Sequence, residues 1–276
     1  MKKKLKIIIM LLVVIALGVG IGFYLAKIKD AHRPLKVSGN IEGDDVRISF
    51  RVDGQIIELL TDEGKVVKKG DIVARLNTDE LVKERDNAAA SLKAAEFDCQ
   101  LAKLEYQRSE NLLKEGAVSV QKRDKDKTAY DAGVAKVEQL KASLDLAQTR
   151  LGFAELASPL NGYILTKSSL AGEVVKSGTP VFSAIDLNNI WVTAYINEKD
   201  LGKVKLDQPA DVVTDTFVGK KYKGRISFVS SQAEFTPKFI QTQEERVKLV
   251  YRIKVQVDNS SLDLKPGMPA DAYIVE

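Results

Sequence analysis

The chain has 276 residues, 45% of them hydrophobic and 29% charged, a globular composition rather than a disordered one. Its formal net charge of +4 is too balanced to point to nucleic acid as a partner. One cysteine (Cys99) excludes an internal disulfide and any cysteine-based zinc site, and one histidine (His32) removes most schemes needing a clustered imidazole. The composition weighs against a hydrolase or metalloenzyme; no catalytic residue, metal ligand or cofactor is assigned.

Residues 7–26 read IIIMLLVVIALGVGIGFYLA, a run without a charge. As a helix it would measure about 30 Å, the thickness of a bilayer's hydrocarbon core. It exceeds the usual apolar region of a signal peptide, and the bulky residues that follow offer no clear cleavage site. An uncleaved single-span anchor over residues 1–30 is expected, with a long cleaved signal as the alternative. Lys2, Lys3, Lys4 and Lys6 precede the run and Lys27, Lys29, Arg33 and Lys36 follow it, so charge alone does not choose its orientation.

The next feature is an internal repeat. Val52-Asp-Gly54-Gln-Ile56 and Glu63-Gly64-Lys-Val66-Val67-Lys68-Lys-Gly70 recur 108 residues later as Leu160-Asn-Gly162-Tyr-Ile164 and Ala171-Gly172-Glu-Val174-Val175-Lys176-Ser-Gly178. Each copy is a set of short β-prone runs punctuated by glycine, and Gly54, Gly64, Gly70, Gly162, Gly172 and Gly178 are expected at tight turns. Neither half is large enough to bury a core, so the two should pair into one small sandwich from residues 31–77 and 158–187. The first strand is free to join the carboxyl-terminal domain instead.

Residues 78–157 contain no proline and are rich in Ala, Leu, Lys, Glu and Gln, all good helix formers. Ala88, Leu92, Ala95, Cys99, Ala102, Tyr106, Ser109 and Leu113 alternate steps of four and three, as do Tyr130, Gly133, Val137, Leu140, Leu144, Ala147, Leu151 and Ala154. That period describes a coiled-coil seam with small residues along it. Gly116 is placed to end the first helix and Ser119 to cap the second, giving an antiparallel hairpin about 55 Å long. Phe97, Leu101 and Leu104 fall off the seam and form a second apolar face, suited to a neighbouring copy. Cys99 reads as a small seam residue.

From residue 188 to 276 the pattern becomes short alternating strands: 190–196, 210–214, 223–229, 249–257 and 270–275, with a helical turn near 197–202. Their spacing suggests an antiparallel β-barrel. The fold class is therefore mixed and mainly β: an N-terminal transmembrane helix, a split β-sandwich, a long α-helical coiled-coil hairpin and a C-terminal antiparallel barrel.

This arrangement resembles the periplasmic adaptors, also called membrane-fusion or haemolysin-D-like secretion proteins. The half-repeats look like the halves of a lipoyl (biotinyl-carrier-like) domain. In a true carrier a modified lysine sits on the turn joining the halves, and some 80 residues of hairpin replace that turn here. The resemblance implies no enzymatic activity and no cofactor. It also implies a hairpin-tip docking motif, which Arg108, Leu112 and Ser119 fit by spacing, although Ser119 also reads as a plain helix cap and Leu112 as an ordinary packing residue. The stretch Glu234-Phe-Thr-Pro-Lys-Phe-Ile-Gln-Thr, followed by Glu245-Arg246 and Leu249-Val-Tyr-Arg-Ile-Lys-Val, resembles the barrel hairpin of adaptors serving ABC-type exporters. The implied partners are an inner-membrane transporter, with the ABC type favoured over proton-driven RND or MFS pumps, a TolC-like outer-membrane duct, and other copies of the chain in a hexamer. The implied location is the inner membrane of a Gram-negative bacterium, with the bulk of the chain in the periplasm. The competing readings are a biotin or lipoyl carrier subunit of an enzyme and a structural coiled-coil protein that spaces the envelope without transport.

Overall fold

A computed structural model describes residues 34–235 and 249–275. The expected membrane anchor lies outside the described residues, among which no helix is long and apolar enough to cross a membrane. The chain divides into two units, residues 45–185 and residues to 44 with those from 186 onward.

In the 45–185 unit, strands β2 (Gly54–Leu59), β3 (Val66–Val67) and β4 (Ile72–Leu76) precede helices α1 (Asp79–Lys114) and α2 (Val120–Gly152). Strands β5 (Glu155–Ala157), β6 (Gly162–Lys167) and β7 (Val174–Val175) follow; β1 (Leu35–Ser49) and β8 (Pro180–Asn197) contribute their adjoining ends. The two halves exchange partners about a local two-fold relation. Gly54 lies opposite Val175 between β2 and β7, and Gly162 lies opposite Val67 between β6 and β3, the same pairing with the copies interchanged. The β2–β4 ladder (Ile56 with Leu76, Glu58 with Arg75, Leu59 with Ala74) recurs as the β6–β8 ladder (Ile164 with Ala184, Thr166 with Ser183, Lys167 with Phe182), irregular at the same step. Side chains follow suit: Asn161 Oδ1 accepts from the Lys69 N–H and Asp53 Oδ1 from the Ser177 N–H. Each half thus satisfies backbone groups of the other, and neither has a complete set of pairings alone. Phe50, Ile56, Leu76, Ile164, Val181 and Phe182, drawn from both halves, form the core.

Gly64, Gly70, Gly172 and Gly178 all adopt positive φ at turns, as does Gly116. Gly54 and Gly162 do not, which corrects their reading as turn residues: they open strands β2 and β6. At Gly162 glycine is needed for close approach, since a Cβ there would lie 2.1 Å from the Ile185 carbonyl oxygen.

The helices pair with each other. The Asn77 side chain accepts the Asp79 N–H at 2.8 Å at the start of α1, where Asp79 and Glu80 complement the helix dipole. The helix has 36 residues, about 54 Å. It ends in a Schellman motif, with Ala117 N–H on the Leu112 carbonyl, Gly116 N–H on the Leu113 carbonyl, and Gly116 at φ +73°. Ser119 caps α2. Every expected seam residue from Ala88 to Leu113 and from Tyr130 to Ala154 is buried or half-buried. The Tyr106 and Tyr130 rings stack with centroids 6.2 Å apart, and Arg150 meets Glu84 at 2.8 Å toward the base.

The helices approach closely at Gly133, where a Cβ would come within 3.2 Å of Cys99 Cα. A leucine at 133 has no space beside that backbone, so Gly133→Leu is expected to push the helices apart and lower the thermal midpoint by about 3–10 °C. Circular dichroism melting checks this; an unchanged midpoint would contradict the packing described.

In the other unit, β9 (Pro209–Thr214), β10 (Tyr222–Phe235), β11 (Leu249–Val257) and β12 (Pro269–Ile274) join the start of β1 and the end of β8. The pairings run β1–β12–β9–β10–β11–β8 and return from β8 to β1, so the strands form a closed circuit. Such a circuit leaves no free sheet edge. Alternate residues, Ala210, Val212 and Thr214 on β9 and Ala270, Ala272 and Ile274 on β12, are buried, as period-two patterning requires. Buried Asn259 holds the β11–β12 connection, donating to the Leu187 and Leu264 carbonyls and accepting the Leu264 N–H. The expected helical turn is a 3-10 helix at Glu198–Lys203.

Candidate functional site

The end of the helical hairpin gathers the residues expected to dock. Arg108 and Leu112 lie four residues apart near the end of α1, on one face, separated by a rise of about 6 Å. Both are exposed, Leu112 by 40%, and Arg108 has no ion-pair or hydrogen-bond partner among the described residues. Ser119 stands across the Gly116 turn, but its hydroxyl accepts the Lys122 N–H at 3.2 Å, so it is already used as a helix cap. The structure thus leaves Arg108 and Leu112 open and commits Ser119 to the turn.

Just behind the tip, Asp126 is buried between the helices, with Lys122 Nζ at 2.6 and 2.7 Å from its two oxygens. The Lys122 hydrogen bonds hold the Asp126 carboxyl below the usual carboxylate range against the opposing effect of burial, and the Ser109 hydroxyl adds to the lowering. The sequence reading passed over Asp126. Continuing the seam by one step of four from Tyr130 lands on it, and that was the available signal.

Because its folded pKa is depressed, this carboxylate contributes its full stability above its unfolded value of about 3.9, and loses it as pH falls through the lower folded value. Asp126→Asn is therefore expected to lower the thermal midpoint at pH 7, with the gap from the parent closing below about pH 4. Melting curves across that range check it; a gap that widens on acidification would contradict it.

Along α1, Phe97 (60% exposed), Leu101 (56%) and Leu104 step by four and three along one exposed face, away from the seam. In the 45–185 unit an open groove of about 430 Å³ is lined in part by Arg47, Arg51, Phe153 and Glu155. Arg51 stacks over the Phe153 ring and Glu155 is engaged by Arg75, and the groove holds no paired nucleophile and base. Among the described residues no three His, Cys, Asp or Glu side chains lie together to hold a metal.

Comparison with known proteins parallels this geometry. Residues 44–186, more than half of the chain, match the family model of the CzcB-like barrel-sandwich hybrid domain, and residues 190–274 match the YknX-like β-barrel domain. The chain belongs to the membrane-fusion proteins, the periplasmic adaptors of haemolysin-D-like type. This membrane-fusion protein is 28% identical to a UPF0194 membrane protein of Acidithiobacillus ferridurans over 91% of its own length and 90% of that protein. A UPF0194 membrane protein of Yersinia enterocolitica is likewise 28% identical, over 88% and 90%. Among solved structures, the fold is shared with the membrane fusion protein Spr0693 of Streptococcus pneumoniae (TM-score 0.68, 17% identity, 87% of this chain and 98% of that one). It is also shared with MacA of Actinobacillus actinomycetemcomitans (TM-score 0.66, 22% identity, 89% and 79%). ZneB of Cupriavidus metallidurans is a third (TM-score 0.54, 23% identity, 88% and 99%).

Proposed function

We propose that this membrane-fusion protein is the adaptor of a tripartite export system, bridging an inner-membrane transporter to an outer-membrane exit duct and performing no covalent chemistry itself. The observation that carries the reading is the hairpin: about 54 Å of paired helix, inserted where a carrier domain has its lysine turn, with Arg108 and Leu112 uncovered at its far end. Residues 1–30 serve as the anchor and the hairpin tip engages the duct through Arg108 and Leu112, while Ser119 shapes the turn that presents them. An ABC-type transporter is favoured by the resemblance of residues 234–255. Affinity purification of the full chain from its native membranes under mild cross-linking tests the assignment. Transporter and duct in the eluate support it; a biotin- or lipoate-sized mass increment on the chain, with neither partner, would replace it with the carrier reading.

Assembly follows from the second apolar face. Phe97, Leu101 and Leu104 fit a neighbouring copy in a ring of about six, the closed symmetry a sealed conduit needs. Leu101→Asp is expected to reduce the ring to smaller species while the fold persists, since the residue is exposed in the single chain. Sedimentation of the detergent-solubilised protein reads this, and an unchanged copy number would remove the stripe from the interface.

A further inference from the structure

In the unit that contains β9 to β12, the end at which β1 begins carries an uncovered apolar pair. Leu206, on the turn before β9, is 63% exposed, and Val275, just beyond β12, is 45% exposed. The segments that carry them are tied together three residues or fewer from Leu206: Val275 N–H donates to the Pro209 carbonyl at 3.1 Å, and the Gln208 side-chain Nε2 donates to the Val275 carbonyl at 3.0 Å. Asp207, at φ +62°, donates its N–H to the Ile226 carbonyl and fixes the turn that leaves Leu206 open. Leu35, the first residue of β1, lies opposite Ile274 at the same end. Two exposed cations accompany the pair, Lys205 beside Leu206 and Arg225 opposite Pro209 in the β9–β10 ladder, and neither side chain has an ion-pair partner among the described residues.

The chain's own connectivity says what surface lies near. The uncharged run ends at Ala26 and β1 begins at Leu35, so eight residues, 27–34, join them. Fully extended, they reach at most about 28 Å. Three of the eight, Lys27, Lys29 and Arg33, are basic. Large aliphatic side chains flanked by lysine and arginine are what an anionic membrane interface accepts, the apolar atoms entering the headgroup boundary and the cations meeting lipid phosphates.

We propose that this end of the unit rests on the anionic lipid surface, with Leu206 and Val275 entering the interface and Lys205 and Arg225 binding phosphate headgroups. The inference rests on residues 7–26 spanning the bilayer, as the proposed function holds. It makes the membrane itself a docking partner that orients this unit before any transporter binds.

The test reconstitutes the full chain in vesicles of phosphatidylcholine and phosphatidylglycerol with brominated acyl chains, using Leu206→Trp and, as a control, Val218→Trp. Val218 is 91% exposed in the β9–β10 turn, at the other end of β9. The added emission of Leu206→Trp is expected to fall to about half or less, while that of Val218→Trp and of native Trp191 is unchanged. Omitting phosphatidylglycerol is expected to restore most of the Leu206→Trp emission. If the protein resists alkaline carbonate extraction yet Leu206→Trp is unquenched, is quenched no more than Val218→Trp, or is quenched only with a transporter present, the lipid contact is overturned and the anchor stands. Equal quenching without phosphatidylglycerol overturns the phosphate assignment. Release of the protein by carbonate overturns both the contact and the anchor.

Discussion

Replacing Leu112 by aspartate is expected to reduce export by about 100-fold while leaving the protein folded and membrane-bound, because a central apolar anchor in a docking surface carries a disproportionate share of binding. The same outcome is expected for Arg108→Asp, which reverses a charge that has no ion-pair partner among the described residues. Neither residue supports the hairpin: Leu112 is off the seam, and the Schellman motif uses its carbonyl rather than its side chain. Exposed substitutions of this kind usually change stability by less than about 0.5 kcal/mol. Accumulation of an exported compound in cells carrying each variant, with circular dichroism of the purified protein, measures the two halves of the expectation. Full export in both variants would take docking away from these residues.

The second large effect concerns the two-fold relation in the 45–185 unit. Gly54 and Gly162 occupy equivalent positions, yet their surroundings differ. A Cβ on Gly162 would sit 2.1 Å from the Ile185 carbonyl oxygen and 2.8 Å from its carbon, whereas on Gly54 it would meet the flexible end of Leu76 at 3.2 Å. Gly162→Ala must force β6 from β8, an expected loss of about 3 kcal/mol or more; Gly54→Ala displaces a side-chain methyl and should cost about 1 kcal/mol or less. Neither glycine has a positive φ, so the difference reads backbone approach and not turn strain. Urea unfolding of the two variants decides it, and equal losses would refute the unequal packing.

Much of this was legible in the sequence, and the failures have physical reasons. A gapless offset of 108 residues pointed to two halves that pair with each other, because glycine turns and valine pairs are fixed by local backbone needs, while the reciprocal exchange of strand partners is visible only in the structure. The seam was legible because burial on a helix follows its period. The roles of Gly54 and Gly162 were not, since a glycine at a turn, one opening a strand and one under a neighbouring carbonyl, as Gly162 is, are the same letter. Nor was the continuity of β8: Asn188-Asn189 reads as a break after residue 187, but the Asp186 carboxylate accepts the Asn188 N–H and the strand continues to Asn197. Asp126 escaped notice because a seam is searched for apolar residues, and its burial depends on Lys122 one turn away. At the tip, spacing picked out Arg108 and Leu112 as docking candidates, and both lie exposed near the end of α1, while Ser119 read equally as docking residue and helix cap and its hydroxyl caps α2.

The central claim is that one chain holds the inner membrane at one end and reaches an exit duct with the other. A photo-reactive amino acid substituted at Leu112 and irradiated in intact cells tests it most directly. The account predicts a cross-link to an outer-membrane duct protein from a chain that fractionates with the inner membrane. Cross-links confined to other copies of the chain, or to soluble enzymes, would contradict it.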